Sequence, residues 1–382
     1  MTVHVATSPL AALVPGEPVD LVLDLGSAHP SSHPGLRLSL EVDGDLITTA
    51  RAHIGLMHRG AEKLFEVRDY RQALVLANRH DWLAAFSGEL GIALLLERML
   101  GIEAPPRATW ARTLLAEVGR ALSHLAFLGT FPLDGPAERV RGIDGREALQ
   151  RVLEEVSGGR IHAMLNQVGG LRAEIPEGWT SRVREALRVA ESALDEVSTG
   201  LFDDPRFEAA TRGVGVVRPD LVEPYGLSGA VARASGYDLD VRRDDPYLAY
   251  AELGERLVVP LCDEGDARAR LELLAEQARV ALDLAEVSAD RVDACGPGPV
   301  SVRMPKSLRV PEGEAYVWTE SPLGAAGYYL VSRGERTPWR LKMRTPSYAH
   351  LQLLEALLPG TRVGQLVPVL ASLAFVLGDA DR

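Results

Sequence analysis

Two histidines four positions apart stand first among the residues that could do chemistry: His29 and His33, in the run His29-Pro30-Ser31-Ser32-His33-Pro34. On one helix face such a pair could bind a metal ion. Here the prolines and serines read as a loop, and no Glu follows the first histidine as the zinc-hydrolase motif requires. A hydrogen-bonding loop is the plainer reading. A second run, His53 to Lys63 (HIGLMHRGAEK), gathers basic groups at what could simply be a helix start. A third, Arg79-His80-Asp81-Trp82, enters an apolar stretch, where Asp81 is placed to cap a helix. A fourth is Arg160-Ile161-His162, ahead of Gly169-Gly170. Each of these runs, taken singly, has a structural explanation. Gly213-Val214-Gly215 lacks the third glycine and the strand–helix context of a dinucleotide fingerprint. No serine nucleophile elbow, P-loop or CxxC pair occurs.

The elements that must position these groups follow from periodicity. Leu36 to Ile47 alternates apolar and polar residues around Asp43-Gly44, which predicts a β-hairpin or meander; Gly26 to Gly35 before it is loop chemistry. From Asp81 to Leu100 the apolar residues fall at helical spacing, with Gly101 as the stop. After Pro105 and Pro106, Arg107 to Leu128 carries an apolar face wide enough for a helix buried in a bundle. Gly135 to Ile143 reads as a loop. Arg146 to Val156, Ser181 to Val197 and Ala267 to Leu284 predict further helices, and Gly169-Gly170 and Pro176 to Gly178 predict turns. Ala315 to Thr319, Gly327 to Ser332 and Trp339 to Met343 predict short strands, with a hairpin over Gly324 to Gly334. The expected class is α+β, mainly α: a helical core with small sheets from both ends. The expected organisation is a β-rich region over 1–80 and a mainly helical unit over 81–382, integrated as one body.

Composition bounds the function. The chain has 382 residues, 46% hydrophobic and 25% charged, enough to bury a sizeable core. A net charge of −12 argues against nucleic-acid phosphates as partners. Its two cysteines, Cys262 and Cys295, are far apart, which excludes a self-contained Cys₄ iron–sulfur or zinc site and fits idle thiols in a reducing cytoplasm. The N-terminus has no signal-peptide pattern. The most apolar late stretch, Leu366 to Leu377, contains Pro368 and falls short of the roughly 20 residues a membrane span needs. Any membrane association is expected to be peripheral.

Read together and in order, several blocks resemble the D subunit of respiratory complex I, from His29 to Arg382. They are HPSSHPGLRLSLEVDG, HIGLMHRGAEKLFE, NRHDWL, LGIEAPPRATWARTLLAEVGRALSHLAFLGT, GLSGAVARASGYDLDVRRDDPYLAY, ESPLGAAGYYLVSRGERTPWRLKMRTPSY and the terminal GDADR. The resemblance implies the fold of the nickel–iron hydrogenase large subunit, without its metal centre, since that needs four thiolates. It implies no cofactor bound by this chain, a quinone as substrate, and a neighbouring subunit that carries a [4Fe–4S] cluster. Among the other peripheral-arm subunits, that partner would form the quinone pocket with this chain, on the cytoplasmic side of the cell membrane. The activity implied is NADH:quinone oxidoreduction coupled to proton translocation, by the complex and not by the chain alone. His33 matches the family's quinone-binding histidine and Asp134 the acid that accompanies it, the two catalytic candidates. Arg79 and His162 match the basic residues beside the partner's cluster.

Several positions depart from the family. Its quinone-binding tyrosine falls at Trp82, whose indole can donate a hydrogen bond but cannot release a proton as a phenol can. Pro34 replaces the glycine after His33, Gln167 replaces an arginine and Ala374 an acid. A second, diverged copy of the subunit would show such changes. Two other readings therefore stand beside the main one: a non-catalytic assembly paralogue, and a subunit of a related ferredoxin- or hydrogenase-type membrane complex.

Overall fold

Alternating side chains build the sheet at the N-terminal end. In the computed structural model, which describes residues 1–13, 16, 18–33, 35–133 and 140–382, strands β1 (Thr2–Ala6), β2 (Leu21–Val22), β3 (Arg37–Asp43) and β4 (Leu46–His53) lie in the order β2-β1-β3-β4. The expected hairpin is β3–β4, and Gly44 supplies the positive φ its turn requires. Leu38, Leu40 and Val42 point to the buried face, as period-two alternation dictates. Two short helices follow, α1 (Ala61–Glu66) and α2 (Tyr70–Ala77); Asp69 and Gln72 form a capping box on the second.

Helix α3 (Ala85–Leu100) begins later than its apolar pattern suggested. Asp81 accepts hydrogen bonds from the Leu83 and Ala84 N–H groups at 3.0 and 3.1 Å, so it caps a turn ahead of the helix and not the helix itself. Next come α4 (Pro106–Gly129), α5 (Ile143–Ser157), the two-residue ribbon β5 (Asn166–Gln167) and β6 (Gly170–Leu171), then α6 (Trp179–Phe202) and α7 (Ala267–Ala294). Most of the loop expected over 135–143 lies outside the described residues, and Ile143 already belongs to α5. Helix α7 continues past the expected Leu284 to Ala294, because Ala285, Ala289 and Val292 keep its apolar face buried. It packs along α4 and α6, and α5 along α6, around the largest apolar core.

The last sheet is β7 (Gly313–Ser321), β8 (Gly324–Ser332) and β9 (Arg340–Arg344), antiparallel in that order. The segment expected to be a hairpin, Gly324 to Gly334, is one strand; the hairpin turn lies before it, at Pro322-Leu323. Helix α3 rests on β7 and β8, where Gly91 takes the Tyr328 ring so closely that an added Cβ would meet it at 2.0 Å. Helix α8 (Pro346–Leu357) and the helical turns after it return to β4, sharing one apolar cluster with β1, β3 and β4. Helix is the dominant element, with sheets drawn from both ends, as expected of a mainly helical α+β chain. Among the described residues no helix is long and apolar enough to cross a membrane.

Buried charge ties these layers together. Arg112 of α4, fully buried, donates to both oxygens of Glu97 on α3, at 2.8 and 3.1 Å, and to the carbonyls of Gln167 and Gly170 at 2.6 and 2.8 Å. One guanidinium thus fixes the β5–β6 ribbon to two helices through a planar fork that a lysine could not reproduce.

Candidate functional site

The His29–His33 run is a loop with one turn of 3₁₀ helix over Pro30–Ser32. Its two histidines point to different surroundings, so they do not act as a metal-binding pair. His29 is buried edge-on against Phe127 of α4, ring centroids 5.8 Å apart, and its Nδ1 accepts from the Ser31 N–H at 3.2 Å. Burial pushes its pKa down to about 3. Ser31 anchors the turn by donating to the Phe375 carbonyl at 2.7 Å. His33 stands exposed at the end of the turn, with Nε2 2.7 Å from the Ser27 carbonyl. A carbonyl only accepts, so this Nε2 carries a proton. Pro34 and Asp134 lie outside the described residues.

Trp82 is half-buried against the main core and lines a cavity of about 50 Å³ between the entry to α3, α4 and α5. Leu115, Gly119 and Leu122 form one wall, and Arg146 and Gln150 another; His33 is not among the lining residues. The indole N–H has no acceptor among the described residues, and the atom is not sealed from solvent. Arg146 has no ion-pair partner there either; its Nε is buried without a partner, and burial lowers its pKa.

Arg79 and His162 come together. Arg79 is exposed just after α2, where its carbonyl accepts from Arg59. His162 is half-buried in the loop before β5, its Nδ1 2.7 Å from Asn78 Oδ1. Burial, and then the Arg79 charge, hold the His162 pKa below its ordinary value. Behind them lies Glu89 of α3, fully buried and pushed up to about 7 by desolvation against the hydrogen bonds it accepts. Gln167 donates to the Leu171 carbonyl at 3.1 Å, and Ala374 is buried.

A second buried group sits within the third run and beyond it. His80 Nε2 lies 3.5 Å from Asp379. Burial, and then the Asp379 charge, hold the Asp81 carboxyl well above the ordinary carboxylate range. Glu89, Arg146 and Asp379 were not singled out from sequence. The available signal was a lone carboxylate in an apolar helical run, AFSGELGIALLL, for Glu89; the other two depend on contacts distant in the chain.

Among the described residues no group of three or more His, Cys, Asp or Glu side chains could hold a metal ion; Cys262 is half-buried and Cys295 exposed. The family described as respiratory-chain NADH dehydrogenase, 49 Kd subunit, matches residues 139–308 and 300–382. The chain is 54% identical to the first of the numbered D subunits of NADH-quinone oxidoreductase in Streptomyces coelicolor, over 368 residues and 96% of each protein. It is 53% identical to the second such D subunit of Streptomyces griseus, over 96% of this chain and 93% of that one. With the D subunit of Geotalea uraniireducens it shares 37% identity, over 95% of this chain and 98% of its relative.

Proposed function

The chain belongs to the family of NADH-quinone oxidoreductase D subunits, and on that premise we propose that it shapes the quinone-reduction pocket of the complex. It is one subunit of an enzyme, and the other subunits of the oxidoreductase are its partners. The finer reading adds that one of them carries the [4Fe–4S] cluster beside Arg79 and His162. The complex would hold this chain peripherally on the cytoplasmic side of the membrane and couple quinone reduction to proton translocation. Kinship with the nickel–iron hydrogenase large subunit fits the helical core and terminal sheets, but two cysteines cannot supply that protein's metal ligands.

The observation that carries the reading is the setting of His33. With Nε2–H committed to the Ser27 carbonyl, a neutral His33 offers a ligand only the lone pair of Nδ1, which has no partner among the described residues. The imidazolium form offers Nδ1–H instead. Reduction of a quinone to the quinol consumes two electrons and two protons and forms an O–H bond at each carbonyl oxygen. Imidazolium His33 can donate Nδ1–H to one carbonyl, pass that proton as negative charge builds on the oxygen, and end neutral with its other hydrogen bond unbroken. Asp134 is, by family resemblance, the acid that accompanies this histidine. Trp82 can donate one hydrogen bond and stack on the headgroup, and it transfers no proton. The second proton therefore comes from a donor other than these two.

To test this, the complex is isolated from its native membrane with wild-type or His33→Ala chain at equal assembly. NADH-driven quinone reduction should fall by roughly 10²-fold or more in the variant, the scale of losing a positioned proton donor. Equal turnover refutes the placement of the headgroup at His33. The indole in the tyrosine's place gives the assembly-paralogue reading its one specific support; a wild-type complex without quinone-reductase activity would establish it.

A further inference from the structure

Glu89 makes a set of contacts that reaches the surface at His162. One oxygen of its buried carboxylate accepts from the Asn166 N–H at 2.8 Å. The other oxygen accepts from Asn78 Nδ2. The same amide nitrogen lies 3.4 Å from the Ala85 carbonyl. With Glu89 ionised, both neighbours of that nitrogen are acceptors, so the amide can point only one way, and Oδ1 must face His162. Oδ1 can only accept. The hydrogen bond of 2.7 Å to His162 Nδ1 therefore requires the proton to sit on Nδ1. Nε2 of His162 has no partner among the described residues and is not sealed from solvent.

We infer that Glu89 is a positioning residue: through Asn78 it holds neutral His162 in the Nδ1–H tautomer, so that the histidine presents a bare Nε2 beside Arg79. On this face neutral His162 then only accepts at Nε2, and Arg79 is the neighbouring group left to donate to the acceptor sulfurs of the proposed cluster. That last clause rests on the reading that a partner subunit covers His162 and Arg79; the tautomer does not. The loop that carries His162 holds Met164 at φ 48, a left-handed conformation unusual for a side chain of that size. Glu89, bonded to the backbone of that loop, secures it as well as orienting Asn78.

The relay has a polarity that a single atom reverses. In Glu89→Gln the side-chain oxygen is needed by the Asn166 N–H, which leaves the new amide N–H₂ facing Asn78. Asn78 must then turn its oxygen inward and its nitrogen toward His162, whose Nδ1 becomes an acceptor. The proton moves to Nε2. The experiment is nitrogen NMR of the full-length chain labelled at its histidine rings, well above the pH at which either His162 or Glu89 titrates, with its signals identified by their loss in His162→Gln. Wild type should show a pyrrole-like Nδ1 and a pyridine-like Nε2, and Glu89→Gln the reverse. A wild-type signal with the proton on Nε2 overturns the inference, as does a folded Glu89→Gln chain that keeps wild-type shifts. Should that variant not fold, Asn78→Leu removes the bridge and should abolish the preference for Nδ1–H; an unchanged preference overturns the relay. Turnover of the complex with His162→Gln reads the partner-face assignment separately. No change there overturns that clause alone.

Discussion

Acidification should loosen the His33 loop through His29. The native pKa of this buried imidazole is about 3, against 6.5 for the ordinary side chain, and burial is the cause. A base whose pKa is lower in the native state takes up its proton more readily when unfolded. Its contribution to stability is therefore intact above about pH 6.5 and is lost as the pH falls from there toward about 3. One pKa unit corresponds to about 1.4 kcal/mol, so near pH 5, about one and a half units below the unfolded value, the loss is about 2 kcal/mol. His350, pushed down to about 4 by burial, contributes with the same sign, and Glu89 and Asp81, both pushed up, with the opposite sign. Overall acid stability therefore does not isolate the effect, whereas a comparison with His29→Leu does. Leucine keeps an apolar contact with Phe127 and gives up the hydrogen bond from the Ser31 N–H, at a cost of ~1 kcal/mol near neutrality. Urea unfolding of both chains, followed by circular dichroism at several pH values, measures the gap. Between about pH 7 and pH 5 it should shift by about 2 kcal/mol in favour of the variant. Parallel pH profiles for the two chains would refute the argument from a buried neutral imidazole.

Trp82→Tyr should raise quinone-reductase turnover of the assembled complex while Trp82→Phe does not; equal turnover of all three, with quinone affinity measured separately, removes Trp82 from the chemistry. Arg112→Met leaves Glu97 buried without its counter-charge and two carbonyls without a donor, so the chain should lose about 3–5 kcal/mol in urea unfolding; a loss below ~1 kcal/mol would show that water or a rearranged ribbon replaces the guanidinium. The purified chain should carry no stoichiometric iron or nickel by elemental analysis, since neither cysteine has a second thiol near it in sequence.

The long elements were legible because their apolar periodicity is set within one segment. Trp110, Leu114, Leu115, Val118, Leu122 and Leu125 mark α4 without help from elsewhere. The short helices α1 and α2 were missed because one or two turns carry too little pattern; they exist because Phe65 and Tyr70 are buried against α3 and the last sheet. The hairpin was misplaced because glycines at 324, 327 and 334 look like turn signals. In the fold, however, Gly327 lies flat under Tyr316, where a Cβ would meet the ring at 2.9 Å or less. At the candidate site, the exposed groups could be matched to a family by local runs. What lies behind them could not. Glu89 works through Asn78 and Asn166, and Asp379 faces His80, pairings that only the assembled chain brings within reach.

The anchoring of the His33 loop also bears on the order in which the protein forms. Ser31 hydrogen-bonds to Phe375, 344 positions away, and the loop after β4 is held by Asp381, which accepts from the Gly55 and Met57 N–H groups at 2.8 and 2.7 Å. Bringing such distant segments together is entropically costly and slows folding, whereas helices paired through short connections assemble early. On the ribosome, the first strands emerge long before their partners exist. The apolar face of the β3–β4 hairpin must therefore wait, with Leu38, Leu40 and Val42 uncovered, until α8 and the turns that follow it arrive. The His33 loop is thus expected to be the last part of the chain to take shape, and the part most dependent on chaperones while the chain is being made.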